Sequence, residues 1–415
     1  MGKDLIQEAE RCLQCGSPRC SRGCPVNTSV REMIRLFLEN QLVQAGEMLF
    51  QNNPLSLVCS LVCPHEKQCE GACVLGVKQR PVSIGEIEHY ISDYYLNLIT
   101  PVVQKEFGKK VAIIGSGPAG ITIAILLASR GYDITIFEAH DRIGGVLMYG
   151  IPEFRLPKAL LVKLEAKLIE MGVKIRPNIL IGPVITIDDL FRDGYKAVFI
   201  GTGVWKPRSL GIKGESLGHV HYGIDYLKNP EVYSLGENLC VIGAGNVAMD
   251  VARTAVRSGV RNVTILYRGD IESITAEKHE LKMAKLDGVR FEVRKVPVEI
   301  TDDGVLYLET QRHEDAGGKA AFAPLSGPPQ LFRADSVVIA ISQGPRDNIV
   351  STTKGIEIGR NGLVMTGPIG NTTRPGVFAS GDVVTGAKTV VEAVRVSKMV
   401  ADEMDRYVTE MLNAE

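Results

Sequence analysis

Two glycine-rich segments, each lying between a β-branched run and an apolar helical run, constrain the fold of this 415-residue chain more than any other feature. The first reads KKVAIIGSGPAG and continues into ITIAILLASR and YDITIFE, and the second reads NLCVIGAGNVAMD and leads to RNVTILYR. Each predicts a strand, a tight turn, a helix and a second strand, which is the β-α-β unit of a parallel sheet. The units begin about 128 residues apart, so we expect two such domains.

The first glycine turn has the full context of a dinucleotide site, because GxGxxG follows a strand, precedes a helix and is followed 23 residues after Gly115 by the strand-end Glu138. The glycines allow a tight turn, close approach of a pyrophosphate and close helix–strand packing, and helix amides face the phosphates. A plain glycine-rich turn is the alternative. Glu138 is predicted to accept hydrogen bonds from a ribose diol. The predicted cofactor-binding residues here are Gly115, Ser116, Gly117, Pro118, Ala119, Gly120 and Glu138.

The second glycine turn differs at the position that contacts the ribose. Tyr267 stands where the first unit has Glu138, and Arg268 follows it. An acid there would repel the 2′-phosphate of NADP, whereas a guanidinium binds it bidentately, so NADP(H) is favoured over NAD(H). A solvated strand-end charge is the alternative for Arg268. The predicted cofactor-binding residues are Gly243, Ala244, Gly245, Asn246, Val247, Tyr267 and Arg268.

Different ribose chemistry at the two turns predicts two different nucleotides, a tightly held flavin and a diffusing hydride donor. The late segment GVFASGD supports the flavin, since a strand that ends in Gly381-Asp382 places a carboxylate within reach of ribityl hydroxyls. A helix cap is the alternative for Asp382. Thr389 opens the following helix, whose amino-terminal amides are predicted to face the flavin ring. The first domain therefore closes with C-terminal sequence.

Eight of the nine cysteines lie between Cys12 and Cys73, in a segment of helical pattern with little β signal. Clustered cysteines in a chain without an export signal favour metal binding over disulfides. The CxxC pair and the Cys-Pro steps are typical of ferredoxin-like iron–sulfur proteins, and zinc is the alternative. Eight cysteines suffice for two four-iron clusters, but the count does not say which cysteine serves which cluster.

Composition narrows the class of function. The net charge is -1, 45% of residues are hydrophobic and 23% are charged, so the basic excess of a nucleic-acid or anionic-membrane binder is absent. The N-terminus MGKDLIQEAE is charged where a signal peptide is apolar, and no 18 apolar residues occur together. We expect a cytoplasmic protein that acts on small molecules, without nucleic-acid or membrane partners.

The motifs, taken together, resemble the NADPH glutamate synthase small-subunit family, whose architecture is shared with the electron-input half of dihydropyrimidine dehydrogenase and with related NADPH:ferredoxin-type subunits. The resemblance covers essentially the whole chain. It lies in CLQCGSPRCSRGCPV, NNPLSLVCSLVCPHEKQCEGACVLG, PVSIGEIEHYISDY, IIGSGPAG, GGVLMYGIPEFRLP, VIGAGNVAMD and GVFASGD.

The resemblance implies two Rossmann-like α/β domains, one inserted in the other, behind a small helical iron–sulfur domain. The implied boundaries are residues 1–107 for the iron–sulfur domain, 108–230 plus 346–415 for the FAD domain and 231–345 for the NAD(P)H domain. The resemblance further implies that hydride passes from NADPH to FAD and that electrons then pass singly through two [4Fe-4S] clusters to a partner. The partner it implies is a larger, FMN-containing catalytic subunit or a ferredoxin.

The resemblance also implies individual site residues. One cluster uses Cys12, Cys15, Cys20 and Cys73, and the other uses Cys24, Cys63, Cys69 and Glu88, which leaves Cys59 as a packing residue or as the alternative fourth ligand. Gly145 contributes to the flavin site. Glu153 and Arg155, in GIPEFRLP, lie where flavin and nicotinamide meet and are the predicted catalytic residues.

The sequence departs from the usual pattern of the family at several places, which are Gly269 for an arginine, Ile274-Thr275 for Met-Pro, and Ser342 and Ser397 for glycines. The first departure weakens the NADP assignment, and the others are interpreted as local packing variation. Three alternatives remain open at this point. They are the input subunit of a dihydropyrimidine dehydrogenase, a stand-alone NADPH:ferredoxin reductase, and a nucleotide-binding scaffold with structural zinc.

Overall fold

The computed structural model describes residues 4–98, 106, 108–314 and 320–414, and within these ranges the chain forms two compact units. The first unit comprises Met1–Met148, Glu153–Val204 and Pro345–Glu415, and the second comprises Tyr149–Pro152 and Trp205–Gly344. The predicted end of the helical domain, residue 107, lies outside the described residues.

The helices are α1 (Leu5–Glu10), α2 (Arg19–Gly23), α3 (Val30–Leu38), α4 (Leu42–Asn52), α5 (Ser56–Val62), α6 (Ile84–Leu98), α7 (Pro118–Ala128), α8 (Val146–Tyr149), α9 (Lys158–Glu170), α10 (Ile187–Arg192), α11 (Gly223–Lys228), α12 (Asn246–Arg257), α13 (Lys278–Leu286), α14 (Asp382–Thr385) and α15 (Val390–Ala414). Short 3-10 helices occur at His65–Lys67, Val74–Val77, Pro230–Val232 and Ile271–Ser273. Of the described helices, none is both long and apolar enough to cross a bilayer.

The strands are β1 (Lys110–Ile114), β2 (Asp133–Phe137), β3 (Lys174–Arg176), β4 (Ala197–Ile200), β5 (Lys206–Pro207), β6 (Val220–Tyr222), β7 (Asn238–Ile242), β8 (Asn262–Leu266), β9 (Arg290–Glu292), β10 (Lys295–Thr301), β11 (Gly304–Glu314), β12 (Ala320–Pro324), β13 (Gln330–Arg333), β14 (Ser336–Ile339), β15 (Gln343–Gly344) and β16 (Val377–Ala379). β5 and β15 form a two-stranded antiparallel pair.

The first unit begins with the cysteine-rich helices α1 to α6. Helix α3 buries Val30, Met33, Ile34 and Phe37, a spacing of i, i+3, i+4 and i+7 that lines one helical face with apolar side chains. This face packs into a core that also contains Ile87 of α6. The cysteine-bearing turns are therefore held on a hydrophobic core rather than on a sheet.

A parallel five-stranded sheet of order β16-β4-β1-β2-β3 forms the rest of the first unit. Helix α7 is apolar on all sides and is buried almost throughout, as expected for a helix covered by both sheet and helices. Arg130, just after α7, forms ion pairs with Asp402 and Asp405 of α15. β16 comes from residues 377–379 and pairs with β4, so C-terminal sequence supplies an edge strand of this sheet.

The second unit contains a parallel sheet of order β6-β14-β7-β8-β9. Its outermost strand β6, Val220–Tyr222, pairs with β14, so this sheet starts upstream of residue 231, where the NAD(P)H domain was predicted to begin. A three-residue strand at the far edge of the sheet gives no sequence pattern comparable with that of the glycine unit at β7. The predicted fold class, two Rossmann-like sheets behind a helical iron–sulfur domain, is confirmed.

Strands β10 to β13 form an antiparallel excursion between β9 and β14. The pairing of β11 with β12 agrees with an excursion of hairpin type. Residues 315–319, which connect these two strands, lie outside the described residues. The excursion leaves the sheet after the carboxyl end of β9, where the Lys295 N–H donates to the Tyr267 carbonyl oxygen over 3.0 Å, and it returns at the amino end of β14.

Ser342, which stands for a glycine of the family pattern, has a backbone φ of 148°, in the region that favours glycine. We predict that Ser342→Gly stabilises the protein by about 1 kcal/mol, because it relieves backbone strain at an exposed position. Urea unfolding followed by circular dichroism measures the change. Ser129 has an ordinary helical φ of -62°, so Ser129→Gly, the control, should instead destabilise. A destabilised Ser342→Gly protein would contradict the prediction.

Candidate functional site

The first glycine turn leaves no room for side chains at two of its three glycines. A Cβ atom on Gly115, where φ is 93°, would lie 2.7 Å from the Gly201 carbonyl oxygen, and one on Gly120 would lie 2.0 Å from the Gly115 carbonyl oxygen. Gly117 caps α7, and Pro118 is at the start of the helix, where its missing N–H has no cost. The turn therefore points the helix amides at whatever binds above it.

Two distant segments meet at this turn. A Cβ on Gly145 would lie 2.9 Å from the Gly117 Cα atom, and the Gly144 N–H donates to the Ser116 carbonyl oxygen over 3.0 Å. From the C-terminal part of the chain, Gly381 approaches Ala119, since its Cβ would lie 3.0 Å from the Ala119 Cβ. The structure thus brings together residues that the sequence analysis assigned to one site from three separate motifs.

Glu138 directly follows β2, and its side chain is buried and hydrogen-bonded to Ser116 and His140. Its carboxylate accepts from the Ser116 N–H (2.9 Å) and hydroxyl (2.5 Å) and from the His140 N–H (2.8 Å). Burial by itself raises the pKa of Glu138, but the hydrogen bonds from His140 and Ser116 bring the pKa below its usual value. An ionised carboxylate is therefore fixed beside the glycine turn. His140 was not predicted, although its position two residues after the acid is visible in the sequence.

Asp382 follows Gly381 at the start of α14. Burial raises the pKa of Asp382 to about 6, although the Lys388 N–H donates a hydrogen bond to its carboxylate over 3.1 Å. Thr389 caps α15 reciprocally with Glu392, because the Thr389 hydroxyl donates to the Glu392 carboxylate (2.8 Å) and accepts from the Glu392 N–H (3.4 Å). Its observed contacts are those of a helix cap, and its role at a flavin stays a prediction.

The second glycine turn is built in a similar way. A Cβ on Gly243 would lie 2.3 Å from the Ala340 carbonyl oxygen, whereas one on Gly245 would meet only Thr275 Oγ1, at 3.8 Å. A ligand can approach the backbone of Gly245. The Asn246 side chain accepts from the Glu277 N–H over 2.8 Å, and the turn is thereby tied to the segment that begins with Ile274-Thr275.

Arginine side chains gather at the carboxyl end of β8, beyond the one that the sequence analysis selected. Arg268 is exposed there. Arg294, which follows β9, forms an ion pair with buried Asp270, and Arg312 of β11 lies 3.8 Å from the same carboxylate. Arg294 and Arg312 were missed because they reach this position only through the antiparallel excursion.

Gly269 stands for the second arginine of the family pattern for a steric reason. A Cβ at this position would lie 2.4 Å from Ser273 Oγ and 2.8 Å from Tyr267 Cε1. The Tyr267 hydroxyl donates to the Ser273 carbonyl oxygen over 3.0 Å, which holds the ring against this turn. Ser397, another departure from the family pattern, is also held by a contact, since its hydroxyl hydrogen-bonds with that of Ser380 over 2.8 Å in the core.

The predicted catalytic residues lie in the turn before α9. The Glu153 carboxylate accepts from the Lys158 N–H over 3.0 Å, as a residue at a helix N-terminus does. Arg155 is half-buried in the same turn. Their predicted role between flavin and nicotinamide stays a prediction.

The first predicted ligand set, Cys12, Cys15, Cys20 and Cys73, is brought together by the fold. Electrostatic interactions link the Cys12 thiol with those of Cys15 and Cys73, and the Cys20 thiol with those of Cys73 and Cys12. Burial raises the pKa of Cys12 and of Cys20, although all four cysteines keep some exposure.

Buried Glu8 fastens the two segments that carry this set. Its carboxylate accepts from Arg11 Nη1 (2.6 Å) and from the Ser83 N–H (2.9 Å), and it also pairs with Arg80. Arg11 in turn donates to the Pro81 carbonyl oxygen over 3.1 Å. The network joins the chain before Cys12 to the chain after Cys73, which explains why ligands 53 or more residues apart in sequence (73 − 20) can be neighbours.

The second predicted set, Cys24, Cys63, Cys69 and Glu88, is more deeply buried. Cys69 interacts electrostatically with Glu88 and Cys24, and Cys63 interacts with Glu88 and Cys69. Burial alone raises the pKa of Glu88 to about 8. Cys59, which is 2% exposed, lies one helical turn before Cys63, and its carbonyl oxygen accepts from the Cys63 N–H over 3.0 Å, so the fifth candidate lies at the same place.

Gly23 makes this proximity possible, because a Cβ there would lie 2.9 Å from the Gln68 carbonyl oxygen and from the Ala72 Cβ. Thiols with one buried carboxylate are donors that suit an iron–sulfur group, and all nine cysteines are free in the structure. Among the described residues, no three His, Cys, Asp or Glu side chains converge as they would on a single metal ion.

A glycine turn with a fixed carboxylate, a second glycine turn with guanidinium groups, and a cysteine-rich helical module define a flavin- and pyridine-nucleotide-dependent oxidoreductase with an iron–sulfur domain. Comparison with protein families agrees. Residues 109–397 match the pyridine nucleotide-disulphide oxidoreductase family, and residues 2–98 match the family of dihydropyrimidine dehydrogenase domain II, 4Fe-4S cluster. The predictions of an oxidoreductase and of an iron–sulfur domain are confirmed.

The chain belongs to the family that contains the NADPH glutamate synthase small chains and the PreT subunits of dihydropyrimidine dehydrogenase. It is 33% identical to the glutamate synthase small chain of Escherichia coli K12, over 95% of this chain and 89% of that one. It is 35% identical to that of Halomonas elongata, over 94% and 88%. It is 32% identical to the NAD-dependent dihydropyrimidine dehydrogenase subunit PreT of Salmonella typhimurium, over 98% and 94%. The predicted resemblance is confirmed.

Solved structures show the same fold at lower identity. FprA from Mycobacterium tuberculosis, in complex with NADPH, superposes with a TM-score of 0.63 at 18% identity, over 74% of this chain and 86% of that one. Thioredoxin reductase from Lactococcus lactis superposes with a TM-score of 0.56 at 24% identity, over 73% and 99%.

We predict that Glu138→Gln lowers the FAD content of the purified protein. It should also lower the free energy of unfolding by about 2 kcal/mol at pH 7, because a neutral amide replaces a charged hydrogen-bond acceptor. The folded-state pKa of Glu138 is lowered, so its stabilisation is present above pH 4.5 and is lost as pH falls further. The difference in the free energy of unfolding between variant and parent, measured by urea unfolding, should become smaller below pH 4.5. Exposed Glu357→Gln is the control. An unchanged FAD content would contradict the prediction.

Proposed function

We propose that this protein is the NADPH-oxidising electron-input subunit of an enzyme of the glutamate synthase type. NADPH supplies hydride to FAD, and the electrons leave singly through two [4Fe-4S] clusters to a partner subunit. The observation that carries the proposal is that the first glycine turn and both cysteine sets lie in one compact unit. The identities of 33–35% with glutamate synthase small chains over most of both chains support it.

In this proposal, FAD is held by the first glycine turn, with Glu138 at the ribose, Gly145 and Gly381 beside the pyrophosphate and Asp382 toward the ribityl chain. The close approaches of Gly145 to Gly117 and of Gly381 to Ala119 support this assignment, because they bring two further segments of the chain against the turn. The protein's part in hydride transfer is to position the two nucleotides, since hydride transfer needs no protein acid or base.

The second turn binds NADPH in preference to NADH. Arg268, Arg294 and Arg312 support this choice, because guanidinium groups near the end of β8 attract the 2′-phosphate. Two arginines from the excursion would then take the part of the second arginine that Gly269 excludes. In this assignment, Glu153 and Arg155 lie beside the nicotinamide ring of NADPH.

Cys12, Cys15, Cys20 and Cys73 hold one cluster, and Cys24, Cys63, Cys69 and Glu88 hold the other. The electrostatic pairings within each set support the partition. The larger catalytic subunit would receive electrons at the first set, which keeps some exposure and lies beside the exposed apolar residues Leu13, Val74 and Val77. We place the protein in the cytoplasm.

A second candidate is the electron-input subunit of a dihydropyrimidine dehydrogenase. It is favoured by the 32% identity with PreT, which extends over 98% of this chain. Anaerobic expression with a candidate large subunit, followed by co-purification and assay of NADPH-dependent glutamate formation or dihydropyrimidine formation, separates the two. NADPH oxidation with an artificial acceptor but without either large subunit would support the stand-alone reductase instead.

For the nicotinamide nucleotide, we predict that Arg268→Glu raises the KM for NADPH about tenfold or more while changing the KM for NADH much less, because the new carboxylate repels the 2′-phosphate. Steady-state kinetics with an artificial acceptor measure both. Arg290→Glu is the matched control, since Arg290 lies at the amino end of β9, whereas Arg268 follows the carboxyl end of the neighbouring strand β8. Equal increases for the two nucleotides would defeat the assignment.

For the second cluster, we predict that Glu88→Ala loses about half of the bound iron and that Cys59→Ala keeps all of it, because a carboxylate rather than the fourth nearby thiol completes the set. Iron and acid-labile sulfide are measured on anaerobically purified protein. The two positions are a matched pair, since both side chains are buried and face Cys63. Iron loss in Cys59→Ala but not in Glu88→Ala would reverse the assignment.

A further inference from the structure

Lys398 connects the long C-terminal helix of the flavin sheet to the cysteine-rich helices. It lies on α15, about two turns after Thr389, and its ammonium donates to Asn52 at the end of α4. The distances are 2.6 Å to the Asn52 carbonyl oxygen and 2.9 Å to its side-chain oxygen. A cation at the carboxyl end of a helix is also favoured by the helix dipole.

The contacts continue from Asn52 to the second cysteine set. The Asn52 side-chain amide donates to the Thr28 hydroxyl over 3.4 Å, and the Cys24 thiol is hydrogen-bonded to the same hydroxyl over 3.3 Å. Thr28 is buried, at 3% exposure. Lys398 also interacts directly with Cys24 through its charge. The route from α15 to a predicted cluster ligand is therefore continuous in both hydrogen bonds and charge.

We propose that Lys398 is a positioning residue that holds the Cys24 segment against α15 and raises the reduction potential of the iron–sulfur group bound there. The proposal rests on the proposed function, since it presumes that the second set binds that group. Lys398 lies outside the glycine and cysteine motifs, so the sequence analysis gave it no role.

The sign of the effect follows from charge. Each electron that the second site accepts, supplied by NADPH oxidation, adds one unit of negative charge beside Cys24. The Lys398 ammonium is half-buried, so its attraction for that charge is screened less than at a free surface. Hydrogen bonds and charges near ligand sulfurs shift cluster potentials in the same way. Removing the ammonium should therefore disfavour the reduced state.

The test compares Lys398→Met with Arg395→Met in anaerobically purified, full-length protein. Arg395 is an exposed cation one turn earlier on the same helix, so its removal changes the net charge equally. Iron, sulfide and FAD are assayed first, and the potentials are then measured by redox titration followed by electron paramagnetic resonance. We expect Lys398→Met to shift one cluster to a more negative potential and to reduce the fraction that NADPH reduces, whereas Arg395→Met and Lys398→Arg stay near the parent.

Loss of about half of the iron in Lys398→Met but not in Arg395→Met would support the positioning part of the proposal directly. Thr28→Val provides the second variant, because it removes the hydroxyl beside Cys24 and keeps the Lys398–Asn52 contact. It should shift the same cluster in the same direction by a smaller amount. Unchanged potentials with full iron content in Lys398→Met, or equal shifts in Lys398→Met and Arg395→Met, would overturn the proposal.

The failure of the proposal is distinguishable from that of the proposed function. A parent protein that binds no iron or no FAD under anaerobic conditions would contradict the proposed function. A fully loaded parent whose potentials do not respond to Lys398→Met would contradict only the role of Lys398.

Discussion

The first sheet depends on a close approach between the backbones of Gly115 and Gly120, which a side chain at Gly120 would prevent. With the Gly115 carbonyl oxygen 2.0 Å from where a Cβ of Gly120 would be, α7 can start directly against the end of β1. That contact fixes the position of the helix amides, and it leaves the turn exposed to Gly145 and Gly381 from elsewhere in the chain. The flavin site that we propose is therefore a consequence of the missing side chains at Gly115 and Gly120, and Glu138 completes it from the end of the neighbouring strand.

The parts of the site that could be predicted are those whose geometry is local. Gly115, Glu138 and Gly243 belong to a strand–turn–helix–strand pattern in which spacing alone determines position. His140 and Arg294 were not predicted, because neither belongs to the pattern. His140 matters through its hydrogen bond to Glu138, and Arg294 pairs with Asp270 from the link between β9 and the excursion.

The cysteines show the limit of sequence reasoning differently. Their spacing predicted iron–sulfur chemistry but left the partition open, and only the resemblance to a family supplied two sets. In the fold, the proximity of the predicted ligands depends on residues with no redox chemistry. Glu8 ties the chain before Cys12 to the chain after Cys73, and Gly23 lets α2 pack against residues 68–72. The start of the second unit was also missed, because the pairing of β6 with β14 is a long-range contact of three residues.

Two buried carboxylates in the helical module, those of Glu8 and Glu88, have pKa values that are shifted in opposite directions. Glu8 is surrounded by Arg11, Arg80 and the Ser83 N–H, and these hydrogen bonds outweigh burial and lower its pKa. Glu88 is comparably inaccessible, at 8% exposure, yet burial alone shifts its pKa, and it shifts upward. A buried carboxylate is costly unless something positive faces it, so a compensated Glu8 is structural and Glu88 is the better candidate for an iron ligand. Lys398, whose ammonium interacts with Cys24, then supplies positive charge on the Cys24 side of this set.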